Sequence, residues 1–288
     1  MFTVNNIIHK ITQTLQPLYD EREAAAVAYV YACTKLGMAR HEVALCGNEP
    51  VDDSLEAGIQ RDIERLAEGC PVQYVLGGTE FYGLPFEVSP AVLIPRQETE
   101  ELVQMVVEQG KGRGASIWDV GTGSGCIAVS LAKMLPDAQV FATDISEEAL
   151  AVARRNARRN GVEVTFARHD MRDVEHLPFG NRRFDMIVSN PPYSPASDRN
   201  SMHRNVTDYE PSLALFVPDD DALWCYDAVA RLGRQVLNPG GRIFVETYHD
   251  FHEELITLFQ TSGYADVLSI KDLNGKMRFV RAKLSKIF

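Results

Sequence analysis

Basic charge is scarce in this sequence: 29 Lys and Arg stand against 40 Asp and Glu, giving a formal net charge of −11 and a pI near 5.1. A broad nucleic-acid surface needs a basic footprint to displace counterions, so this balance speaks against direct nucleic-acid binding. A local strip, Arg154-Arg155 and Arg158-Arg159, repeats at i, i+4 and reads as the solvated face of a helix. Cysteine is also sparse. Cys33, Cys46, Cys70, Cys126 and Cys225 form an odd set without a CxxC pair, which excludes the usual zinc and redox spacings and argues against a disulfide framework. No apolar run reaches membrane-spanning length. The first residues, Met1-Phe2-Thr3-Val4-Asn5-Asn6, lack a basic segment followed by an apolar one, so no signal peptide is expected. These absences lead us to expect a cytoplasmic monomer with no metal and no membrane partner.

The 288 residues, 45% of them apolar, suffice for two domains with a sizeable core. Residues 1 to about 70 contain no convincing strand. Ile7, Ile8, Ile11, Leu15 and Leu18 recur at helical spacing, and Ala24 to Leu36 is an alanine-rich helix candidate. Asp53 or Ser54 is placed to cap a further helix through Ile59, Ile63 and Leu66, which stops at Gly69 and Pro71. The texture then changes. Residues 81–88 read as a hairpin with Gly83 and Pro85 in its turn, and Pro95 opens a helix whose first turn carries Glu98, Glu100 and Glu101.

From Ser116 onward strands and helices alternate. Strands are expected at 116–120, 139–143, 163–168, 184–189 and 242–247, which argues for a mostly parallel sheet covered on both faces. Two antiparallel strands at 264–271 and 277–283, joined around Asn274-Gly275, are expected at its edge.

The first of these strands runs into Gly121-Thr122-Gly123-Ser124-Gly125 and then a helical segment. Glycines here allow a tight turn and the close approach of a ligand to the backbone. The next strand ends at Asp144, an acid about twenty residues on, where a carboxylate accepts from two ribose hydroxyls. NAD and S-adenosylmethionine (SAM) both fit this far. The G-x-G-x-G spacing favours SAM, since the dinucleotide fingerprint needs its third glycine one residue later. After the third strand, Asp170 is placed to accept from an adenine amino group, with Met171 and Ile145 over the ring faces.

The strand at 184–189 leads into Asn190-Pro191-Pro192-Tyr193. Prolines remove donors and leave carbonyls free to accept, and Asn190 adds a side-chain carbonyl at the ligand-binding end of a parallel strand. Such a loop suits a planar NH2 group, a poor nucleophile because its lone pair is delocalised. Two acceptors grip its N–H bonds, and those bonds strengthen as the attacking nitrogen becomes positive. Asn190, Pro191 and Tyr193 are the expected catalytic residues, and Pro192 completes the acceptor-binding set. No acid or base is nominated. The loop by itself does not distinguish adenine N6, guanine N2 or glutamine N5.

More specific are Pro71-Val72-Gln73-Tyr74-Val75-Leu76-Gly77, Phe81-Tyr82-Gly83 and Val92-Leu93-Ile94-Pro95-Arg96-Gln97-Glu98-Thr99-Glu100. With Asp119 to Gly125, Asp144, Phe184 to Tyr193, Glu210-Pro211 and Asp272 to Arg278 in the same order, the chain resembles the HemK/PrmC family of release-factor N5-glutamine methyltransferases. That resemblance implies a seven-stranded, Rossmann-like SAM-dependent methyltransferase domain preceded by a small helical-bundle domain. The expected boundaries are 1–75 for the helical, substrate-recognising domain, 76–95 for a β-hairpin linker and 96–288 for the methyltransferase domain. The resemblance also implies that Gly121 to Gly125 and Asp144 bind SAM with Met171 beside the adenine; Ile145, Asp170 and Asn190 complete the expected cofactor set, with S-adenosylhomocysteine as product. The implied partner is a class 1 peptide chain release factor, whose Gly-Gly-Gln glutamine Asn190 to Tyr193 would hold. Tyr248, Phe251 and residues 218–221 depart from the family pattern. The long segment 194–212 reads as a lid or partner contact. The alternatives are a nucleic-acid N6-adenine or N2-guanine methyltransferase, and a SAM-binding interaction protein without catalysis.

Overall fold

The structure, a computed structural model, describes residues 3–248 and 250–285. The chain forms two compact units. One runs to Gly78 and takes in His203–Tyr209, and the other holds Thr79–Met202 and the described residues from Glu210.

The first unit is helical. Helix α1 (Val4–Leu15) buries Val4, Ile7, Ile11 and Leu15, one residue per turn, and opens on a reciprocal cap between Thr3 and Asn6. Helix α2 (Glu21–Leu36) starts at Asp20, whose carboxylate accepts from the Glu23 N–H, and ends at the left-handed Gly37. Helices α3 (Arg40–Leu45), α4 (Glu56–Ala67) and α5 (Val72–Leu76) complete it. Tyr31 Oη and Lys35 Nζ on α2 both donate to the Asp62 carboxylate on α4, each at 2.7 Å. Neither Asp53 nor Ser54 caps α4: both lie inside a short 3-10 turn that is itself capped by Asp52, which accepts from the Ser54 N–H at 2.8 Å, and Leu55 precedes α4 without a side-chain cap.

The second unit begins with strands β1 (Gly78–Phe81) and β2 (Leu84–Glu87). Tyr82 and Gly83 make the turn, with φ of 52° and 71°. A two-residue turn with both φ positive matches the twist of the strands it joins. Pro85 therefore lies in β2 and not in the turn, in a two-stranded sheet where every strand is an edge and a missing N–H is tolerated. Helix α6 (Gln97–Gly110) follows. Pro95 precedes it without opening it: Arg96 is the extended residue at the boundary, Glu98 and Glu100 occupy the first turn, and Glu101 falls beyond it.

Onward the chain forms β3 (Ser116–Val120), α7 (Cys126–Met134), β4 (Gln139–Asp144), α8 (Glu147–Asn160), β5 (Thr165–Arg168) and β6 (Phe184–Ser189). Then come the short β7 (Ser194–Pro195), α9 (Arg204–Thr207), α10 (Ser212–Leu215) and β8 (Phe216–Val217). The remainder is α11 (Trp224–Val236), β9 (Leu237–Glu246), α12 (His252–Thr261), β10 (Tyr264–Lys271) and β11 (Met277–Leu284). Seven strands form one sheet in the order β10-β11-β9-β6-β3-β4-β5. β3, β4, β5, β6 and β9 run parallel, while β11 is antiparallel to both its neighbours. This is the expected α/β architecture. Two strand starts differ from expectation. β5 begins at Thr165 and β9 already at Leu237, because 238–241 are absorbed as an irregularity opposite Asp185.

Both faces of the sheet are covered. Leu102 and Val106 of α6 and Ile127 and Leu131 of α7 pack on one face against Ala142 and Val188. Val229 and Leu232 of α11 and Leu255 and Phe259 of α12 pack on the other, with Trp118, Phe184 and Ile187. From β3 the chain steps outward through β4 and β5, then returns to the opposite side of β3 as β6. The carboxyl ends of β3 and β6 thus flank the point where strand order reverses, the place where open α/β sheets bind ligands.

The 194–212 segment is built of short elements. Ser194 and Pro195 pair with Phe216 and Val217. Within the helical unit, the His203 ring stacks on Tyr19 at 4.9 Å, and Tyr209 Oη donates to the Glu68 carbonyl at 2.9 Å.

Candidate active site

At the carboxyl end of β3 the glycine loop is stitched to its neighbours. The Gly121 and Thr122 N–H groups both donate to the Thr143 carbonyl at 2.9 Å. Thr122 Oγ1 donates to Asp119 Oδ2 at 2.6 Å, and the Gly123 N–H donates to Asp144 Oδ2 at 2.8 Å. Gly125 has φ of 80°, and a Cβ there would lie 3.0 Å from the Ala153 Cβ on α8. Strain and crowding both restrict this position to glycine. Asn156 of α8 is a joint that sequence reasoning missed. Fully buried, it donates to the carbonyls of Ser124 (2.9 Å) and Glu87 (3.0 Å) and accepts from the Glu87 N–H (2.7 Å), fastening hairpin to glycine loop.

A cavity of about 450 Å³ opens over this loop, within the range of small-molecule sites. Gly121, Thr122, Gly123, Ser124, Asp144, Ile145, Asp170, Met171, Asn190 and Pro192 line it, so most of the nominated residues meet at one site. Gly125, Pro191 and Tyr193 do not line it. Gly125 turns the chain into α7, Pro191 is buried, and the Tyr193 hydroxyl reaches behind the loop to Glu246.

Asp144 accepts at one oxygen from Gly123 and at the other from the Ser146 N–H (2.9 Å). Burial raises its carboxyl above the usual range, and these backbone N–H groups oppose that shift. A carboxylate has about four acceptor positions, so capacity for two further donors remains. Asp170 is differently placed. Its carboxylate is clasped by the Arg172 guanidinium, with Nη2 at 3.0 Å, which lowers its pKa. Arg172 in turn lies 5.1 Å over the Trp224 ring, and Trp224 lines the same cavity. Trp224 escaped sequence reading because only its position, following the 218–221 departure, pointed to it.

At the Asn190-to-Tyr193 loop, Asn190 Nδ2 donates to Thr99 Oγ1 at 3.1 Å, and Thr99 Oγ1 donates to Glu246 Oε2 at 2.7 Å. Tyr193 Oη donates to Glu246 Oε1 at 3.2 Å. Thr99 and Glu246 are both buried. Burial pushes the Glu246 carboxyl up to about 7, held back by Thr99, Arg278 and Tyr193 and assisted by Glu98. No acid had been nominated here, yet one stands directly behind the acceptor loop.

The segment leading into α6 is anchored by Glu210, whose side chain is 1% exposed. It accepts from Arg96 Nη2 at 2.6 Å and from the Ile94 N–H at 3.0 Å. Glu210→Ala leaves both donors without their partner and is expected to lower unfolding stability by about 2–3 kcal/mol, measured by urea denaturation. The departures from the family pattern also acquire partners. Tyr248 Oη donates to Asp198 Oδ2 at 2.6 Å, its ring packs 5.3 Å from Phe251, and Asp219 accepts from Ser197 N and Oγ.

Two buried carboxyls, Asp119 and Glu246, are each pushed up to about 7 from ordinary values of 3.8 and 4.5. A raised carboxyl favours the fold in its neutral form. Its contribution is full below the unfolded value and is lost as pH rises through about 7. Unfolding stability is therefore expected to fall between pH 5 and pH 8 by about 5 kcal/mol, roughly half from each group, with Glu246→Gln flattening the slope. A stability that rises over this window contradicts the assignment.

Among known families, the "Methyltransferase small domain" matches residues 97–208 and the "PrmC N-terminal domain" matches residues 6–77. A crystal structure of a methyltransferase from Pyrococcus furiosus shares the fold. It is 18% identical, with a TM-score of 0.52, and the match covers 81% of this chain and 100% of that one. The "Release factor glutamine methyltransferase" of Flavobacterium psychrophilum is 36% identical over 96% of this chain and 98% of its own length. The protein of the same name from Bacteroides thetaiotaomicron is 42% identical over 97% of this chain and 99% of its own. With both structural units represented in these matches, the chain belongs to the release factor glutamine methyltransferase family.

Proposed function

We propose that this protein transfers the methyl group of SAM to the side-chain amide nitrogen of the glutamine in the Gly-Gly-Gln loop of class 1 release factors. The reading is carried by one juxtaposition. Asn190 and the glycine loop line the same cavity from the ends of adjacent parallel strands. SAM supplies an electrophilic methyl on a sulfonium. Gly121 to Gly125 would lie against its methionine portion and Asp144 would accept from its ribose. Ile145 and Met171 would flank the adenine, with Asp170 at the adenine edge. The Arg172 clasp leaves Asp170 less acceptor capacity than Asp144 has.

The family relationship and the net charge of −11 favour an amide over a nucleobase as acceptor. Asn190 Oδ1 and a backbone carbonyl of the Asn190-to-Tyr193 loop would each take one N–H of the glutamine amide and direct its nitrogen at the methyl carbon. The N–C bond forms as the C–S bond breaks, and the sulfur keeps the electron pair as S-adenosylhomocysteine. The nitrogen then sheds one proton to water. Its N–H bonds are the stronger donors in the transition state, so the two acceptors bind that state more tightly than the ground state. Pro192 and Tyr193 keep the loop rigid. No metal is needed in this scheme, and a monomer suffices, acting in the cytoplasm on a protein partner.

The test is tritium transfer from labelled SAM to a release factor and to its Gln-to-Ala counterpart. Labelling of the first alone is expected. Equal labelling of both, or labelling of nucleic acid only, overturns the assignment and favours the nucleobase alternative.

A further inference from the structure

We propose that Thr99 and Glu246 are positioning residues, which together decide which end of the Asn190 amide faces the acceptor. The inference rests on the reading of Asn190 as the group that grips the glutamine. The two ends of an Asn side chain are nearly the same size, so shape alone does not orient them. The choice is critical. With Oδ1 toward the cavity, Asn190 accepts an N–H of the acceptor; with Nδ2 there, two donors confront each other and the grip is lost.

The network behind the loop makes this choice by counting protons. Above about pH 7, where Glu246 has given up its proton, its carboxylate accepts only. Glu246 Oε2 takes the one hydroxyl proton of Thr99 at 2.7 Å, while Oε1 takes that of Tyr193 at 3.2 Å. With its proton committed, Thr99 Oγ1 has only lone pairs to offer Asn190, 3.1 Å away. The amide must therefore turn Nδ2 inward and leave Oδ1 for the cavity. Thr99 is 2% and Glu246 1% exposed, so water is poorly placed to substitute for either. Arg278, Glu98, Tyr193, Tyr226 and Cys126 are charged or titratable groups that face Glu246.

Replacing Glu246 by glutamine keeps the shape and removes the rule. The new amide is able to donate to Thr99 Oγ1, whose proton then swings toward Asn190 and favours the reversed orientation. The same network explains why a threonine in the Pro95-to-Glu100 segment and an acid at the end of β9 belong to one site, although 147 residues separate them.

Thr99→Val, Thr99→Ser, Glu246→Gln and Asn190→Ala, each in the full chain, test this. Turnover would be read by tritium transfer from SAM to release factor, SAM affinity by calorimetry and folding by thermal unfolding. We expect Thr99→Val and Glu246→Gln to lower kcat by about 30-fold or more with SAM Kd changed less than about threefold, since only the transition-state grip is affected. Thr99→Ser is expected to restore most of the turnover lost in Thr99→Val. Glu246→Gln should unfold no lower than the parent at pH 8, because a buried charge is removed. The relay is overturned if Asn190→Ala is inactive while Thr99→Val and Glu246→Gln keep kcat within about threefold of the parent. It is also overturned if Thr99→Ser loses as much as Thr99→Val, which marks a packing role. An active Asn190→Ala instead overturns the acceptor reading beneath it.

Discussion

Replacing Asn190 with alanine is expected to lower kcat for methyl transfer by about 10²–10³-fold while SAM binds within about tenfold of the parent, a difference of ~1.4 kcal/mol. The split follows from where Asn190 sits. It lies at the end of β6, across from the glycine loop, and its amide is held from behind by Thr99. In the proposed reading it would meet SAM laterally, whereas its contact with the acceptor nitrogen would strengthen as charge develops there. A group that binds the transition state more tightly than the ground state shows its loss in kcat. Single-turnover transfer at saturating SAM measures this directly. A variant that keeps turnover would show that the nitrogen is gripped elsewhere.

Asp144→Ala is expected to give the complementary pattern, weakening SAM by about 10²-fold, ~2.7 kcal/mol, with a smaller effect on kcat once SAM saturates. Two losses combine. The carboxylate that would accept from the ribose disappears, and so do the acceptors for the Gly123 and Ser146 N–H groups that shape the loop. Calorimetric titration of SAM, compared with kcat at saturation, separates this variant from Asn190→Ala. An unchanged Kd would remove Asp144 from the cofactor side.

Much of the architecture was legible in the sequence. Its signals are local: strand–helix alternation, a glycine-rich turn after the first strand of the sheet, an acid at the end of the next, and an Asn-Pro-Pro-Tyr turn. Each of these sits within a few residues of the element it ends. The hairpin turn was misplaced because Pro85 is as much at home in an edge strand as in a turn, and the positive φ of Tyr82 carries no sequence mark. The supports of the site were not legible for a different reason. Thr99 sits in the first turn of a helix, Asn156 in the middle of one and Glu246 at the end of a strand. Each position looks ordinary by itself. Their meaning lies in partners 32 to 147 residues away, and no periodicity reports such pairings. The departures at Tyr248 and Asp219 are intelligible only beside Asp198 and Ser197, which they hold.

That remoteness has a kinetic consequence. Ser189 Oγ, 69 residues along the chain from Val120, donates to its carbonyl, and Asn190 reaches Thr99 across 91. Contacts of such separation require large loops to close before they return any stabilisation, so parallel sheets of this kind order slowly. Asn156 fastens the glycine loop, at Ser124, to the hairpin, so the pocket above that loop is expected to form late in folding. SAM is then expected to bind the finished pocket rather than to template it. It acts afterwards by mass action, selecting the finished fold and slowing its loss.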